Sequence, residues 1–208
     1  MSYWQNRKPV RRSRAVDIAE VAQASVALLD EGGLRSLTVR AVAHRLDVAP
    51  ASLYSRIAAV DDLFDLALDE ALGKDAELQH ELESSKLESS ELESSELPML
   101  MLSYYRHLAR HPWACQVIAM RAPRGPNYLR LSERMCILLA RGGSSDPLGD
   151  AYALSNFVIG SAATTLMSLN ERRAPIDEDI APFYASLHAS HTVNSEEIVA
   201  AVLRALLL

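Results

Sequence analysis

The stretch that decides the fold is Leu37-Thr-Val-Arg-Ala-Val-Ala-His-Arg-Leu-Asp-Val-Ala-Pro-Ala-Ser-Leu-Tyr-Ser-Arg-Ile57. Thr38 can cap a helix whose buried face is Val39, Val42, Ala43 and Leu46. Asp47 follows as the turn, because Asp tolerates a left-handed backbone better than most residues other than glycine. Pro50 suits the first turn of a short helix that we expect to run to Arg56. A helix, a tight turn and a second short helix together predict a helix-turn-helix motif.

The second helix of this motif has two faces with different compositions. Leu53 and Ile57 supply a packing face, whereas Ser52, Ser55 and Arg56 lie on the opposite side. The small residues Ala49, Pro50 and Ala51 let the start of the helix approach DNA closely, where base reading is concentrated. Arg56 can contact guanine through two hydrogen bonds, or a phosphate. The pattern therefore predicts a DNA-reading helix.

The residues on either side of the motif extend it to a small helical domain. Residues 15–31 carry apolar side chains at helical spacing, and Gly32-Gly33 ends that helix. A further helix begins near Asp61-Asp62 and turns four side chains inward, namely Leu63, Leu66, Ala67 and Ala71. We predict a DNA-binding domain over 15–60, preceded by a flexible basic arm over 1–14. Arg11 and Arg12 of the arm would contact phosphates or enter a minor groove.

The remainder, residues 61–208, is predicted to be a second helical domain without strands. Proline and glycine punctuation places its later helices near 99–110, 112–121, 126–141, 147–170, 178–190 and 195–207. Before the first of these helices, residues 82–97 repeat a five-residue unit, Leu-Glu-Ser-Ser followed by Lys or Glu. This period places no apolar stripe on a helix. We interpret the repeat as a solvated low-complexity linker or a frayed helix extension.

Charge and composition limit the partners that are expected. Residues 1–60 hold nine Lys/Arg and five Asp/Glu, whereas the rest of the chain holds 12 and 22. A basic end on an acidic body is typical of a protein that contacts a polyanion at one end. No apolar run reaches the roughly 18 residues of a membrane span, and no signal peptide is evident. With only two cysteines in apolar stretches, the sequence favours a cytoplasmic location.

The stretch quoted above, with its preceding helix and Asp61-Asp62-Leu63 after it, resembles the DNA-binding domain of the TetR family of repressors over about residues 14–72. The matching elements are Leu37-Thr38-Val39-Arg40, Val42-Ala43, Leu46-Asp47-Val48 and Leu53-Tyr54. The later part resembles the tetracycline-repressor-like branch at Arg110-His111-Pro112, Gly125-Pro126-Asn127 and Tyr152-Ala153-Leu154. The resemblance implies an all-α protein: a three-helix DNA-binding domain and a C-terminal domain for ligand binding and dimerisation.

The resemblance also implies roles for individual residues. The residues that would face DNA are Thr38, Arg40, Ser52, Tyr54, Ser55 and Arg56, with Thr38, Arg40 and Tyr54 anchoring phosphates. Two positions depart from the family pattern: Asp47 replaces a usual glycine, and Val60 replaces a common phosphate-binding lysine. Ile118 stands where magnesium-tetracycline binders have histidine. We therefore expect no metal-chelate effector and no cofactor.

A homodimer on double-stranded operator DNA is implied in the same way. Two reading helices would then lie about 34–36 Å apart, one turn of DNA. The dimerisation helices correspond to Ala151–Met167 and Ile198–Leu207. A small hydrophobic or amphipathic effector would bind between the C-terminal helices. Its site would be lined by Trp113, Met120, Phe157 and Met167, with Tyr104, His107 and Asn127 as polar groups.

Other functions stay open at the level of sequence. The same fold could respond to a protein partner or to no ligand, and a helical adaptor could ignore nucleic acid altogether. An enzyme is not expected, because the sequence has no nucleophile–base pair or phosphate-binding loop. The pairs His107/His111 and His188/His191 have spacings that suit a metal, but no thiolate or carboxylate cluster accompanies them. We therefore predict no metal site.

Overall fold

A computed structural model describes residues 2–5, 16–83, 90–171, 174–191 and 194–207. Within these ranges all regular structure is helical, which confirms the predicted fold class. The α-helices are α1 (Ile18–Gly32), α2 (Val39–Arg45), α3 (Pro50–Leu53), α4 (Val60–Lys74), α5 (Ala76–Glu83), α6 (Ser90–Arg110), α7 (Pro112–Met120), α8 (Pro126–Arg141), α9 (Pro147–Glu171), α10 (Pro182–Ser190) and α11 (Ser195–Leu206).

The caps and the turn of the N-terminal helices form as the sequence predicts. Thr38 Oγ1 accepts a hydrogen bond from the backbone N–H of Ala41 at 3.0 Å, which caps α2. Asp47 has a φ of 52°, in the left-handed region, and thereby turns the chain between α2 and α3. Asp17 caps α1 by accepting the N–H of Ala19 at 3.0 Å.

The N-terminal core joins α1, α2 and α3 to α4. Val42, Ala43 and Leu53 are fully buried, whereas Val39 and Leu46 are half-buried. The predicted inward face of α4 is confirmed, since all four of its members are buried: Leu63, Leu66, Ala67 and Ala71. Burial of these apolar side chains stabilises the small domain and fixes α3 on its outside.

The C-terminal helices pack around α6 and α9, which lie against each other. Helices α5, α7, α8 and α11 cover this pair. The interior of these helices contains fully buried side chains, among them Tyr104, Leu108, Leu131, Val158 and Leu203. The long α4 contacts α7 and α8 as well as α1, so it links the two groups of helices.

Part of the low-complexity repeat is helical, not linker. Residues 90–97 form the first two turns of α6, in agreement with the helix-extension alternative, and residues 84–89 lie outside the described ranges. Leu97 is buried, and Glu96 accepts a hydrogen bond from Arg134 at 3.0 Å. These contacts hold the segment although its sequence lacks an apolar stripe. Helix α5 was not predicted.

Two further boundaries differ from the predictions. The helix expected from residue 178 begins at Pro182, because Asp177 accepts the N–H groups of Asp179 and Ile180 in a preceding turn. At the other end of the chain, Tyr3 is buried and donates its N–H to Asp65 on α4 at 2.7 Å. The expectation of a flexible arm is therefore wrong for residues 2–5. Arg11 and Arg12 lie outside the described residues.

Candidate functional site

Helix α3 presents an exposed face of small and polar residues. Leu53 and Ile57 are at most 1% exposed, and they anchor the segment to the core of the N-terminal helices. Five of the predicted DNA-facing residues of this segment are exposed: Pro50, Ala51, Ser52, Tyr54 and Ser55. The sixth, Arg56, is half-buried. Thr38 and Arg40, at the start of α2, are exposed as well. Residues 50–57 thus have one buried face and one exposed face, as the sequence predicts.

The regular part of this segment is shorter than predicted. Helix α3 ends at Leu53, and a turn continues to Ile57 through hydrogen bonds from the N–H groups of Arg56 and Ile57 to Leu53 O at 2.8 and 3.0 Å. The Ser55 hydroxyl donates to Ser52 O at 2.6 Å. Ser55 therefore supports its own backbone and is the least free of the predicted base-contacting side chains.

Helix α4 carries a stripe of acidic residues that grips the loop between α7 and α8. Asp61, Asp65 and Asp69 recur every four residues, so they lie on one face of α4. Arg121 reaches the first two: its Nη1 lies 3.3 Å from Asp61 Oδ2, and its Nε lies 3.2 Å from Asp65 Oδ1. This loop starts directly after α7, so the ion pairs tie α4 to the C-terminal helices.

Asp69 makes the closest contact in this joint. Its Oδ1 accepts the backbone N–H of Asn127 at 2.8 Å, and its Oδ2 accepts the Asn127 side-chain amide at 3.1 Å. Burial raises the pKa of Asp69 and of Asp65, against the hydrogen bonds that favour their charged forms. A Cβ added at Gly125 would lie 2.2 Å from Asp69 Oδ1, so this approach requires glycine.

A second bridge joins α1 to the C-terminal helices. Asp30, near the end of α1, lies with its Oδ1 2.6 Å from Trp113 Nε1 and 2.7 Å from His111 Nδ1. Trp113 is buried and donates its indole N–H to this carboxylate. Two independent sets of contacts therefore connect α1 and α4 to the C-terminal helices.

Among the described residues of α6, two buried side-chain polar atoms have no hydrogen-bond partner. They are the hydroxyl of Tyr104 and Nε2 of His107, both on α6, and neither side chain is exposed to solvent. Burial, and then the neighbouring Tyr128 hydroxyl, raise the pKa of Tyr104 well above its ordinary value. Because unpartnered buried polar atoms are costly, they mark a place where a polar ligand atom would be stabilised.

The contacts of His107 define what its free nitrogen can do. Burial lowers the pKa of His107, although its Nδ1 lies 2.8 Å from Asp75 Oδ2. Burial acts to raise the pKa of Asp75, but the hydrogen bonds from His107 and Arg110 outweigh it and lower that pKa. A neutral His107 that donates Nδ1–H to ionised Asp75 fits both directions. Nε2 is then an acceptor that faces the interior.

The structure does not bring all seven predicted effector residues together. Trp113 and Asn127 belong to the two joints described above, and Phe157 is half-buried against the core. Met120 and Met167 are 57% and 64% exposed, so neither side chain lines an interior cavity within this chain. The acidic stripe of α4 and its partner Arg121 were missed from sequence, although the four-residue spacing of the acids was a visible signal.

Helix α9 has an exposed face without charge. Residues 151–170 contain no Asp, Glu, Lys or Arg. Ala151, Leu154 and Val158 are buried, whereas the outward stripe is exposed over four turns: Tyr152, Asn156, Gly160, Ala163 and Met167. On α11, Ile198 and Leu206 are 45% and 60% exposed. An uncharged, partly apolar helix face of this length is typical of a protein–protein interface.

The described residues also bear on metal binding and on membrane insertion. Within the ranges that the structure describes, no three His, Cys, Asp or Glu side chains are grouped so that they could hold a metal ion. The helices in those ranges also include none with the length and apolar character needed to cross a membrane.

Comparison with known proteins agrees with this geometry. A family model described as the tetracyclin repressor-like C-terminal domain matches residues 79–200. An HTH-type transcriptional regulator of Saccharopolyspora erythraea is 34% identical over 161 residues, which cover 75% of this chain and 65% of the relative. The HTH-type transcriptional repressor DrrR1 of Streptomyces coeruleorubidus is 29% identical over 170 residues, covering 80% and 60%. This chain thus spans less than two thirds of the length of either relative.

The fold is shared with a solved structure described as a possible TetR family transcriptional regulator from Streptomyces coelicolor A3(2). The TM-score is 0.78 at 22% identity, and the alignment covers 92% of this chain and 97% of that chain. The family model matches more than half of this chain, and the relative from Saccharopolyspora erythraea is 34% identical over 75% of it. This chain therefore belongs to the TetR family of transcriptional regulators.

Proposed function

We propose that this protein is a transcriptional repressor that binds palindromic operator DNA as a homodimer and releases it when a small amphipathic effector binds among its C-terminal helices. The observation that carries the proposal is the short helix Pro50–Leu53, in which Pro50, Ala51 and Ser52 are exposed while Leu53 is buried. Because small residues stand at its N-terminus, this end of the helix can enter the major groove of DNA. The proposal divides the chain into a reading domain over 15–60 and a regulatory domain over 61–208.

Within the reading domain, the side chains have different roles. Arg56 and Ser52 would contact base edges, where an arginine can discriminate guanine by two hydrogen bonds. Thr38, Arg40 and Tyr54 would contact phosphates and set the register of α3 on the duplex. The basic residues Arg11 and Arg12 would add attraction that does not depend on sequence.

The homodimer is supported by the uncharged outer face of α9 and by the exposed apolar side chains Ile198 and Leu206 on α11. Small residues at Gly160 and Ala163 would let two copies of α9 approach closely, and a Cβ added at Gly160 meets nothing within 4 Å in the single chain. We expect Ala163→Glu to yield a monomer in analytical ultracentrifugation and to weaken operator binding. Ala140→Glu, at an exposed position on α8, is the matched control and should leave the dimer intact. A dimeric Ala163→Glu protein would refute this interface.

Two polar atoms on α6 point to the effector: His107 Nε2, which has no partner among the described residues, and the Tyr104 hydroxyl, whose polar neighbour is the Tyr128 hydroxyl. A ligand that offers a hydrogen-bond acceptor to the Tyr104 hydroxyl and a donor to His107 Nε2 would satisfy both, while its apolar part replaces core contacts. This arrangement favours a compound with a carbonyl or ether oxygen, a hydroxyl or N–H group, and an apolar ring system. The regulator would work in the bacterial cytoplasm, where operator DNA lies.

Release of DNA follows from a population shift between two conformers. An effector can displace DNA only if it binds the conformer whose reading helices are wrongly spaced more tightly than the other. Helix α4 is the element that connects both sites, because it packs on α1 and is tied by Asp61, Asp65 and Asp69 to the loop at 121–127. A small tilt of α4 would move both copies of α3 apart.

The test begins with selection of bound duplexes from a random DNA pool, followed by fluorescence anisotropy on the selected sequence. We expect affinity to fall steeply with salt, because phosphate contacts release counterions. Ser52→Ala/Arg56→Ala should lose about tenfold to a hundredfold in affinity for the selected sequence. Arg141→Ala, at an exposed arginine on α8, serves as the control and should bind like the wild type. Unchanged affinity of the double variant would refute the assignment of α3.

A further inference from the structure

An open groove lies between α1 and the junction of α4 and α5, outside the interior around Tyr104 and His107. Its volume is about 590 Å³, and its walls come from α1, the last turns of α4, the start of α5 and the end of α6. This volume lies within the range of about 300–1,000 Å³ that is usual for small-molecule clefts. Its apolar surface is formed by small side chains, namely Val26, Ala27, Ala71 and Ala76.

Most of the carboxylates that line the groove are already engaged. Asp30 accepts from His111 and Trp113, and Asp75 accepts from His107 and Arg110. Glu77 is paired in the same way with Arg106 and Arg110. These groups have partners within the chain, so none of them requires a ligand.

Glu70 differs from the other lining carboxylates. Its Oε1 is buried and has no hydrogen-bond partner among the residues that the structure describes. Lys74, one helical turn later, is exposed at the rim, and no ion pair within 4 Å joins it to Glu70 in the described part of the chain. Arg110 also lines the groove, but it is held between Asp75 and Glu77. Glu70 itself is half-buried and lines the groove. Because Oε1 is closed off from solvent, a molecule in the groove would reach this carboxylate through Oε2.

We propose that this groove is a second binding site, selective for a small organic ammonium ion with a flat apolar body. The ammonium would donate a charge-assisted hydrogen bond to Glu70, and the body would cover the small apolar side chains of α1 and α4. Of the four carboxylates that line the groove, Glu70 is the one without an ion pair among the described residues, so it is the negative charge that a bound cation would meet. A ligand here would contact both α1 of the N-terminal helices and the end of α6, so it would hold the two parts of the protein together.

Isothermal titration calorimetry of the full chain with three indole probes tests this site. Tryptamine carries the ammonium, tryptophol replaces it with a hydroxyl, and indole-3-propionate carries a carboxylate on a similar body. We expect tryptamine to bind at least tenfold more tightly than tryptophol, and indole-3-propionate to bind most weakly. In Glu70→Gln the preference for tryptamine should fall below twofold. Glu133→Gln, an exposed glutamate on α8, is the matched control and should keep it.

A second variant separates the groove from the fold. Ala76→Trp fills the groove from an exposed position without removing Glu70, and it should abolish tryptamine binding even if Glu70→Gln fails to fold. Tyr104→Phe, at the proposed effector site, should leave tryptamine binding unchanged. Equal affinity for tryptamine and tryptophol, or wild-type tryptamine binding by folded Ala76→Trp, would overturn the proposal.

Discussion

The joint between α4 and the loop at 121–127 gives the most quantitative prediction. Gly125 lies so close to α4 that a Cβ at this position would be 2.2 Å from Asp69 Oδ1, 2.7 Å from its Cγ and 2.8 Å from its Cβ. All three atoms belong to one short side chain on a packed helix, so the contact cannot be relieved by a flexible end. Gly125→Ala must therefore displace the Asp69 carboxylate or move the loop away from α4.

The magnitude follows from the hydrogen bonds that this movement breaks. Asp69 accepts the N–H of Asn127 at 2.8 Å and its amide at 3.1 Å, and a hydrogen bond to a charged group contributes about 1.5–3 kcal/mol. Loss or lengthening of both bonds gives an expected decrease of about 3 kcal/mol in the free energy of unfolding. The Asp69 side chain is buried, so solvent would not compensate for the lost partners.

Urea denaturation followed by circular dichroism measures this effect. Gly142→Ala is the matched control, because a Cβ there meets only backbone oxygens at 3.4 Å and beyond, and it should change the unfolding free energy by less than about 0.5 kcal/mol. In the Asp69→Ala background, Gly125→Ala should cost at least about 1 kcal/mol less than in the wild type. Additive effects, or a Gly125→Ala protein as stable as the wild type, would refute the proposed packing of this joint.

Three further predictions concern stability and DNA binding. Burial holds the pKa of His107 in the folded protein below its ordinary 6.5, so as the pH falls the unfolded chain takes up a proton at this histidine before the folded protein does. The free energy of unfolding should therefore decrease as the pH is lowered from 7.5 to 5.5. His107→Asn should flatten that slope in urea titrations, and an unchanged slope would contradict the assignment. Leu53→Ala should cost about 3 kcal/mol in the same assay, since Leu53 is fully buried beneath α3. Arg40→Ala should reduce the salt slope of operator binding by about 1 in anisotropy titrations, if Arg40 contacts a phosphate.

The helix-turn-helix could be predicted because each of its signals is local. Thr38 caps the helix that starts beside it, and Asp47 adopts the left-handed turn that its short polar side chain permits. Apolar spacing then separates buried Leu53 from its exposed neighbours. Such features depend on residues within one or two helical turns, so the sequence contains them directly.

The joints and the effector region depend on distant residues and could not be predicted in this way. Asp69 is separated from Asn127 by 58 positions, and Asp30 from Trp113 by 83. Trp113 therefore looked like part of an apolar ligand site until the fold supplied its partner. For the repeat near Leu97, the sequence left a linker and a helix extension open, because tertiary contacts hold a helix that its own apolar pattern does not support.

The central claim is that two copies of α3 read DNA as a rigid symmetric pair, about one helical turn apart. The most direct measurement compares affinity for the selected palindrome with affinity for the same duplex carrying five extra base pairs at its centre, which rotate one half-site by about half a turn. We expect affinity for the lengthened duplex to fall to the level of unrelated DNA. Equal affinity for the two duplexes would contradict it.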